Sequence, residues 1–307
     1  MSTSRRRISM GTCYRIGGSS ALFERDGQVV LEGTTWYTHT LSPQWYWSPI
    51  SNYMIHQIHE RVLNHIKRVS EGANMRNWLL WLAAFGFLVA LALFPVSSRM
   101  TRVASLVLTF VVWFGLIALL WRRRALRFGL LGITLLLGGF LFMPSRGTPG
   151  TDVLRADYLA GLQRYEGVKY YWGGENSRGI DCSGLIRRGL IDALARRGIR
   201  TFDAGLVRRA IDLWWHDCTA RALGEEQRGV TARLLETPSV NTLDHSKILP
   251  GDLAVTANGV HIMAYLGDHR WIEADPGIGR VITVNAPSTD NPWFQSPMNI
   301  VRWSVLQ

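Results

Sequence analysis

Three stretches of this chain contain no charged residue at all: 77–98, between Arg76 and Arg99; 103–121, between Arg102 and Arg122; and 128–145, between Arg127 and Arg146. Each is close to the ~20 residues that a helix, rising about 1.5 Å per residue, needs to cross the hydrocarbon core of a bilayer. Runs this apolar, parted by short arginine-containing linkers, predict three transmembrane helices rather than a buried hairpin of soluble ones. The third run holds Gly129, Gly132, Gly138 and Gly139, which suit close helix contact within a bilayer. The arginines then set direction. Lys67, Arg68 and Arg76 before the first run, with Arg122, Arg123, Arg124 and Arg127 between the second and third, outweigh Arg99, Arg102, Arg146 and Arg155 on the opposite side. The positive-inside rule therefore places the N-terminus in the cytoplasm and, after three crossings, the C-terminal half outside it. Arg5-Arg6-Arg7 leads into no long apolar stretch, so no signal peptide is expected.

The formal net charge of +11 would suit a nucleic-acid binder, but its distribution argues against one. Residues 1–146 carry 16 Lys or Arg against 5 Asp or Glu, whereas 147–307 carry 18 against 18. The basic excess belongs to the half with the apolar runs, where it sets topology. No RRM, zinc-finger or helix-turn-helix pattern competes, so no nucleic acid is expected as a partner. Three cysteines, Cys13, Cys182 and Cys218, are too few for a disulfide framework.

The chain reads as three parts: a small N-terminal cytoplasmic region, 1–77; three transmembrane helices, 78–145; and a catalytic domain, 147–307. In the first, Asp26-Gly27 between Ala21-Leu22-Phe23 and Gln28-Val29-Val30-Leu31 predicts a hairpin. Residues 41–50, with Pro43 and Pro49, read as a loop. Ser51 is placed to cap a helix running to about Ser70, with Ile55, Ile58, Val62 and Ile66 as an apolar stripe that docks on the hairpin or on the membrane surface. His56, His59 and His65 match no metal-ligand spacing and read as surface histidines; no metal is expected.

Chemistry concentrates in the last part. Tyr170-Tyr171-Trp172-Gly173-Gly174 precedes Ile180-Asp181-Cys182-Ser183-Gly184, and apolar residues then recur with helical spacing at Leu185, Ile186, Leu190, Ile191 and Leu194 up to Gly198. Asp181 is placed as the helix N-cap and Cys182 as the first helical residue. There the positive end of the helix dipole is expected to lower the thiol pKa and favour the nucleophilic thiolate. Downstream, Pro250-Gly251-Asp252-Leu253-Ala254-Val255 runs through Asn258-Gly259 into His261-Ile262-Met263-Ala264-Tyr265-Leu266-Gly267, a hairpin whose second strand opens on a histidine. A cysteine on a helix followed by a histidine on a strand is the order of a papain-like thiol hydrolase, with His261 as general base. His216, His245 and His269 lack such a setting. Cys218 is expected to be a buried thiol. About 50 residues separate Gly198 from Pro250, enough for one or two additional helices over about 200–245.

These four motifs, Tyr170 to Gly174, Asp181 to Gly184, Pro250 to Leu253 and His261 to Gly267, resemble in identity and order those of the NlpC/P60 family of cell-wall cysteine peptidases. The resemblance covers roughly residues 153–305. It implies an α+β, papain-like domain that cleaves peptidoglycan stem peptides without a cofactor, here anchored by the three transmembrane helices in a bacterial inner membrane, with the lipid bilayer as its second partner. The family's spacing for the residue that orients the histidine lands on Glu273 in Arg270-Trp271-Ile272-Glu273-Ala274-Asp275. Strand alternation puts Asp275 on the same face as a fallback. A carboxylate departs from the family's commoner His, Asn or Gln. Tyr170 matches the tyrosine beside the nucleophile, and Asp181 and Ser183 match substrate-contacting positions. Two other readings stay open: a thiol amidase or acyltransferase, including an antibacterial toxin, and a non-catalytic wall-binding module.

Overall fold

A computed structural model of the chain describes residues 14–25, 28–39, 43–145, 147 and 150–307. Arg5, Arg6, Arg7, Cys13, the Asp26-Gly27 turn and Arg146 lie outside the described residues. The chain divides into two units, Met1–Ala83 with Gly115–Gly129, and Ala84–Phe114 with Leu130–Gln307.

In the first unit β1 (Tyr14–Arg25) and β2 (Gln28–His39) pair antiparallel, with Leu22 opposite Leu31. The strands run well beyond the apolar residues that predicted them. Helix α1 extends without interruption over Gln44–Leu93. This corrects two expectations: residues from Gln44 onward are helix, not loop, and Ser70 does not end it. Pro49 lies inside the second turn, where its missing N–H costs one helical bond, and the helix continues past it. Around Ser70 no proline intervenes, and Gly72 alone costs only about 1 kcal/mol against alanine, too little to stop a long helix. The apolar stripe does not dock on the hairpin: Ile58, Val62 and Ile66 are exposed, as they would also be on a helix that lies against a membrane surface. The hairpin meets the helix through polar contacts instead, from Thr35 Oγ1 to His59 Nε2 at 2.8 Å and from the Tyr37 hydroxyl to Asn52 at 2.6 Å.

Helices α2 (Arg99–Leu119) and α3 (Arg124–Phe142) follow. Met75–Leu93 of α1, all of α2 and all of α3 are long and apolar enough to cross a membrane, and α3 buries none of its residues within the protein.

The C-terminal half begins with α4 (Thr151–Gln163), then a short ribbon of β3 (Glu175–Asn176) and β4 (Gly179–Ile180), then α5 (Cys182–Arg200), α6 (Ala204–Trp215) and α7 (Ala220–Gly224). Strands β5 (Thr231–Thr237), β6 (Leu253–Thr256), β7 (Ile262–Gly267), β8 (Arg270–Asp275), β9 (Arg280–Asn285) and β10 (Met298–Trp303) form one antiparallel sheet in the order β5-β10-β6-β7-β8-β9. The segment between α5 and Pro250 holds the extra helices expected of it, and also the edge strand β5.

Alternation along the central strands builds two cores. Ile262, Ala264, Leu266, Ile272 and Ala274 face the helices, where Leu185, Ile186, Leu190 and Leu194 of α5 join them. Met263, Tyr265 and Trp271 face the other way, against Phe294, Met298 and Ile300. Each such aliphatic side chain contributes about 1.5–3 kcal/mol when fully buried, so the apolar period of α5 is what presses its N-terminus against the sheet. Helix α4 fits closely on α5 because Gly161 meets the Gly189 carbonyl: a Cβ at Gly161 would lie 2.9 Å from that oxygen.

Candidate active site

The first turn of α5 is fixed by Asp181. Its backbone is extended, and its Oδ1 accepts from the Gly184 N–H at 2.6 Å and from the Ser183 hydroxyl at 3.0 Å. Its Oδ2 accepts from the Gly173 N–H at 2.8 Å, and its own N–H donates to the Gly174 carbonyl at 3.1 Å. The glycine-rich segment is thereby clamped to the helix start. Gly184 makes the approach sterically possible, since a Cβ there would stand 2.1 Å from the Gly174 oxygen. The Asp181 carboxylate and the Ser183 hydroxyl are both engaged in this clamp.

Cys182 follows as the first helical residue and is 8 % exposed. Its thiol donates toward the Val260 carbonyl at 4.0 Å, while the N–H groups of Cys182, Ser183 and Ile262 favour its thiolate. The sulfur thus rests against the backbone on both sides of His261. Burial, and next the negative charge of Asp181, nevertheless push the thiol up from 9.0 to about 12. The expected lowering by the helix N-terminus is present but outweighed, because the thiolate would lose water on nearly every side. Tyr170 lies close enough to feel the charges of Cys182, Asp181 and Asp275; burial first, and these charges next, raise its pKa, so its hydroxyl stays a donor.

His261 is 1 % exposed at the mouth of β7. Its Nε2 lies 2.5 Å from Oε2 of Glu273, which is 0 % exposed on β8. The other carboxylate oxygen of Glu273 accepts from Asn291 Nδ2. Asn291 is itself anchored, its Oδ1 accepting from the Trp293 N–H at 2.9 Å. The Trp293 ring stacks on the imidazole, centroids 4.3 Å apart and planes 16° from parallel. With Glu273 as the acceptor, Nε2 is the donating nitrogen of the ring, which leaves Nδ1 as the acceptor of a neutral imidazole. Asn291 and Trp293 were not anticipated from sequence. The one local signal is Asn-Pro-Trp, an asparagine capping the short 3-10 turn Pro292–Gln295.

Asp275, the fallback, is placed otherwise: its Oδ1 accepts from the Ile278 N–H at 2.8 Å in the turn after β8. The other histidines of 147–307 are engaged elsewhere. His216 pairs with Asp212, and His245 accepts from the Trp271 indole N–H and packs on His269. Cys218 is buried and, like Cys182, free of disulfide. Among the described residues no group of three or more His, Cys, Asp or Glu is gathered as metal ligands would be.

The raised thiol has a consequence for stability. Between about pH 9 and 12 the unfolded chain releases the Cys182 proton while the folded chain keeps it, so stability falls as pH rises through that window. A Cys182→Ser variant should lose less thermal stability than the parent between pH 8 and 10. Parallel melting curves would show that the thiol is not held protonated.

Residues 167–302 match the model of the NlpC/P60 family. Among solved structures, NlpC1 from Trichomonas vaginalis is 17% identical over 52% of this chain and 46% of that one, with a TM-score of 0.33. The P60 domain of an antigen of M. avium subspecies paratuberculosis is 17% identical over 51% of this chain and 98% of that one, TM-score 0.32. The peptidoglycan hydrolase RipB from Mycobacterium tuberculosis is 18% identical over 54% and 76%, TM-score 0.32. The chain spans about half the length of the first of these. No curated protein matches the chain. The family match falls on the half in which the four motifs lie.

Proposed function

We propose that this chain is a cysteine peptidase of peptidoglycan stem peptides, working through Cys182 and His261 from the outer face of a bacterial inner membrane. Residues 147–307 are its catalytic domain, 78–145 its anchor and 1–77 a cytoplasmic region. The observation that carries this reading is the Glu273–His261 pair at 2.5 Å, at the strand mouth against which the Cys182 sulfur rests. The NlpC/P60 match over 167–302 supports the substrate class.

In this mechanism the resting thiol is neutral and protected. As substrate fills the site, Nδ1 of His261 takes the thiol proton and the sulfur attacks the scissile carbonyl. Glu273 stabilises the imidazolium that results, and Trp293 holds the ring plane. The N–H groups at the start of α5, with the Tyr170 hydroxyl, are donors for the developing oxyanion. The imidazolium then protonates the leaving amine, and water, deprotonated by the same histidine, releases the acyl-enzyme. Each step draws only on protein groups and water.

Two features support the external location. The arginine asymmetry points that way, and the segments expected on the outer side both bond to the catalytic half. The Ser97 N–H donates to the Gly173 carbonyl, and Arg208 donates to the Leu141 and Met143 carbonyls at the end of α3.

The test is digestion of purified peptidoglycan by the full chain in detergent, read by mass spectrometry. Fragments cut within the stem peptide are expected, and an unchanged wall would overturn the assignment. A reporter active only outside the cytoplasm should work after Gln307 and fail within Arg122–Arg127; the reverse pattern removes the wall as substrate.

A further inference from the structure

The short loop between α1 and α2 touches the active site's own framework. Val96 forms an antiparallel bridge with Gly174. The Ser97 N–H donates to the Gly173 carbonyl at 2.8 Å, the Glu175 N–H donates to the Pro95 carbonyl at 3.1 Å, and Asn176 Nδ2 donates to the Phe94 carbonyl at 2.7 Å. Segment 173–176 is therefore held from two sides. Asp181 and Gly184 grip it from the nucleophile helix; the Phe94–Ser97 loop grips it from the apolar hairpin.

Charge reinforces the second grip. Arg102, in the first turn of α2, is 3 % exposed, and its guanidinium lies 3.1 Å from Oε2 of Glu175, which is 5 % exposed. Arg187 of α5, 2 % exposed, meets the other Glu175 oxygen at 3.1 Å. Both arginines reach Asp217 Oδ1, at 3.5 Å and 2.6 Å, and Arg102 Nε donates to Ser97 Oγ at 2.9 Å. Two buried cations and two carboxylates balance. A buried arginine at the end of an apolar span is costly unless paired. Glu175, next to the clamped glycines, is the nearest and most buried carboxylate to Arg102, with the exposed Asp217 beyond it. Replacing the group by apolar packing would hold the pieces together as well, so cohesion alone does not explain the charges.

We infer that Arg102 is a positioning residue of the hydrolase: through Glu175 and the Phe94–Ser97 loop, the membrane hairpin sets the segment Gly173–Gly174 against which Asp181 places Cys182. The active site is then complete only when the first two apolar helices are folded as a hairpin, which ties turnover to membrane insertion. The inference rests on the proposed Cys182 chemistry, and its test includes a readout that needs no substrate.

The full chain in phospholipid nanodiscs is compared with Arg102→Met and Arg102→Lys. Loosening the segment should expose the Cys182 sulfur while disordering attack. In Arg102→Met, iodoacetamide labelling of Cys182, resolved by peptide mass spectrometry, should speed up about tenfold and kcat should fall about tenfold, with KM within about twofold. Cys218, buried in the same domain, should label at its original rate. Arg102→Lys, which keeps the charge, should restore most of both. Parental labelling and parental kcat in Arg102→Met would overturn the inference. If both thiols speed up together, the domain has opened, and Asn176→Ala decides, because it removes the bond to Phe94, with one local bond from the Arg178 N–H, and leaves the Arg102–Glu175 pair in place. It should reproduce the Cys182-selective effect at roughly threefold, and no change there overturns the proposal. Absence of wall cleavage by the parent would sink the peptidase reading while leaving the labelling result to judge Arg102.

Discussion

Replacing Cys182 with alanine should abolish hydrolysis, lowering kcat by more than about 10⁴-fold, while the domain stays folded. The two halves of this expectation have separate causes. The start of α5 is held by Asp181, whose bonds to Gly173, Ser183 and Gly184 involve no atom of the Cys182 side chain. The thiol also sits in a setting that disfavours its charge, so its loss removes little that folding depends on. What disappears is the sulfur placed against the backbone on both sides of His261. Cys218→Ala is the control. That thiol is equally buried but donates toward the His216 carbonyl, away from this strand mouth. It should cost about 1 kcal/mol of stability through lost packing and leave turnover unchanged. Equal loss of activity in both variants, with both folded, would remove Cys182 as the nucleophile.

The parts of this site that were readable in the sequence are those with local causes. Asp181 as cap, the apolar period of α5, and the Asn258-Gly259 hairpin leading to His261 all follow from short-range geometry, and the structure has them where they were expected. What could not be read depends on distant segments. Asn291 and Trp293 reach His261 and Glu273 from a 3-10 turn whose sequence announces a cap but not its destination. Strands β5 and β10 close the sheet by pairing across more than sixty residues, and neither alternates cleanly enough to declare itself. The thiol pKa depends on how completely the fold buries the sulfur, which a helix-dipole argument does not contain. The grip of Arg102 on Glu175 joins an apolar span to the loop before Cys182, whereas charge counting assigns that arginine to topology alone.

The choice between Glu273 and Asp275 shows the same division, and it yields the second large effect. Alternation puts both carboxylates on one face of β8. The β7–β8 register, with Ala264 opposite Ile272, would if continued bring Asp275 rather than Glu273 level with His261. The structure resolves this through side chains: Glu273 reaches diagonally to the imidazole, while Asp275 turns to the Ile278 N–H. Glu273→Ala would leave buried donors of His261 and Asn291 unpaired, at a cost of about 3–5 kcal/mol, so lost activity there could reflect lost folding. Glu273→Gln is the sharper variant. Asn291 cannot turn its amide over, because its oxygen is held by the Trp293 N–H. It must therefore go on donating to position 273, and the introduced amide must offer it the oxygen. That leaves the new NH₂ facing Nε2 of His261, which can accept it only by moving its proton to Nδ1. The nitrogen that should take the thiol proton would then already carry one. Turnover should fall by about 10²–10⁴-fold with the melting temperature nearly unchanged, as expected when a base is trapped in the wrong tautomer. Asp275→Ala should stay within about threefold in kcat, its loss being that of a turn bond worth about 1 kcal/mol. Full turnover in Glu273→Gln would mean that the carboxylate does not fix the tautomer and that Cys182 and His261 act as a pair without it.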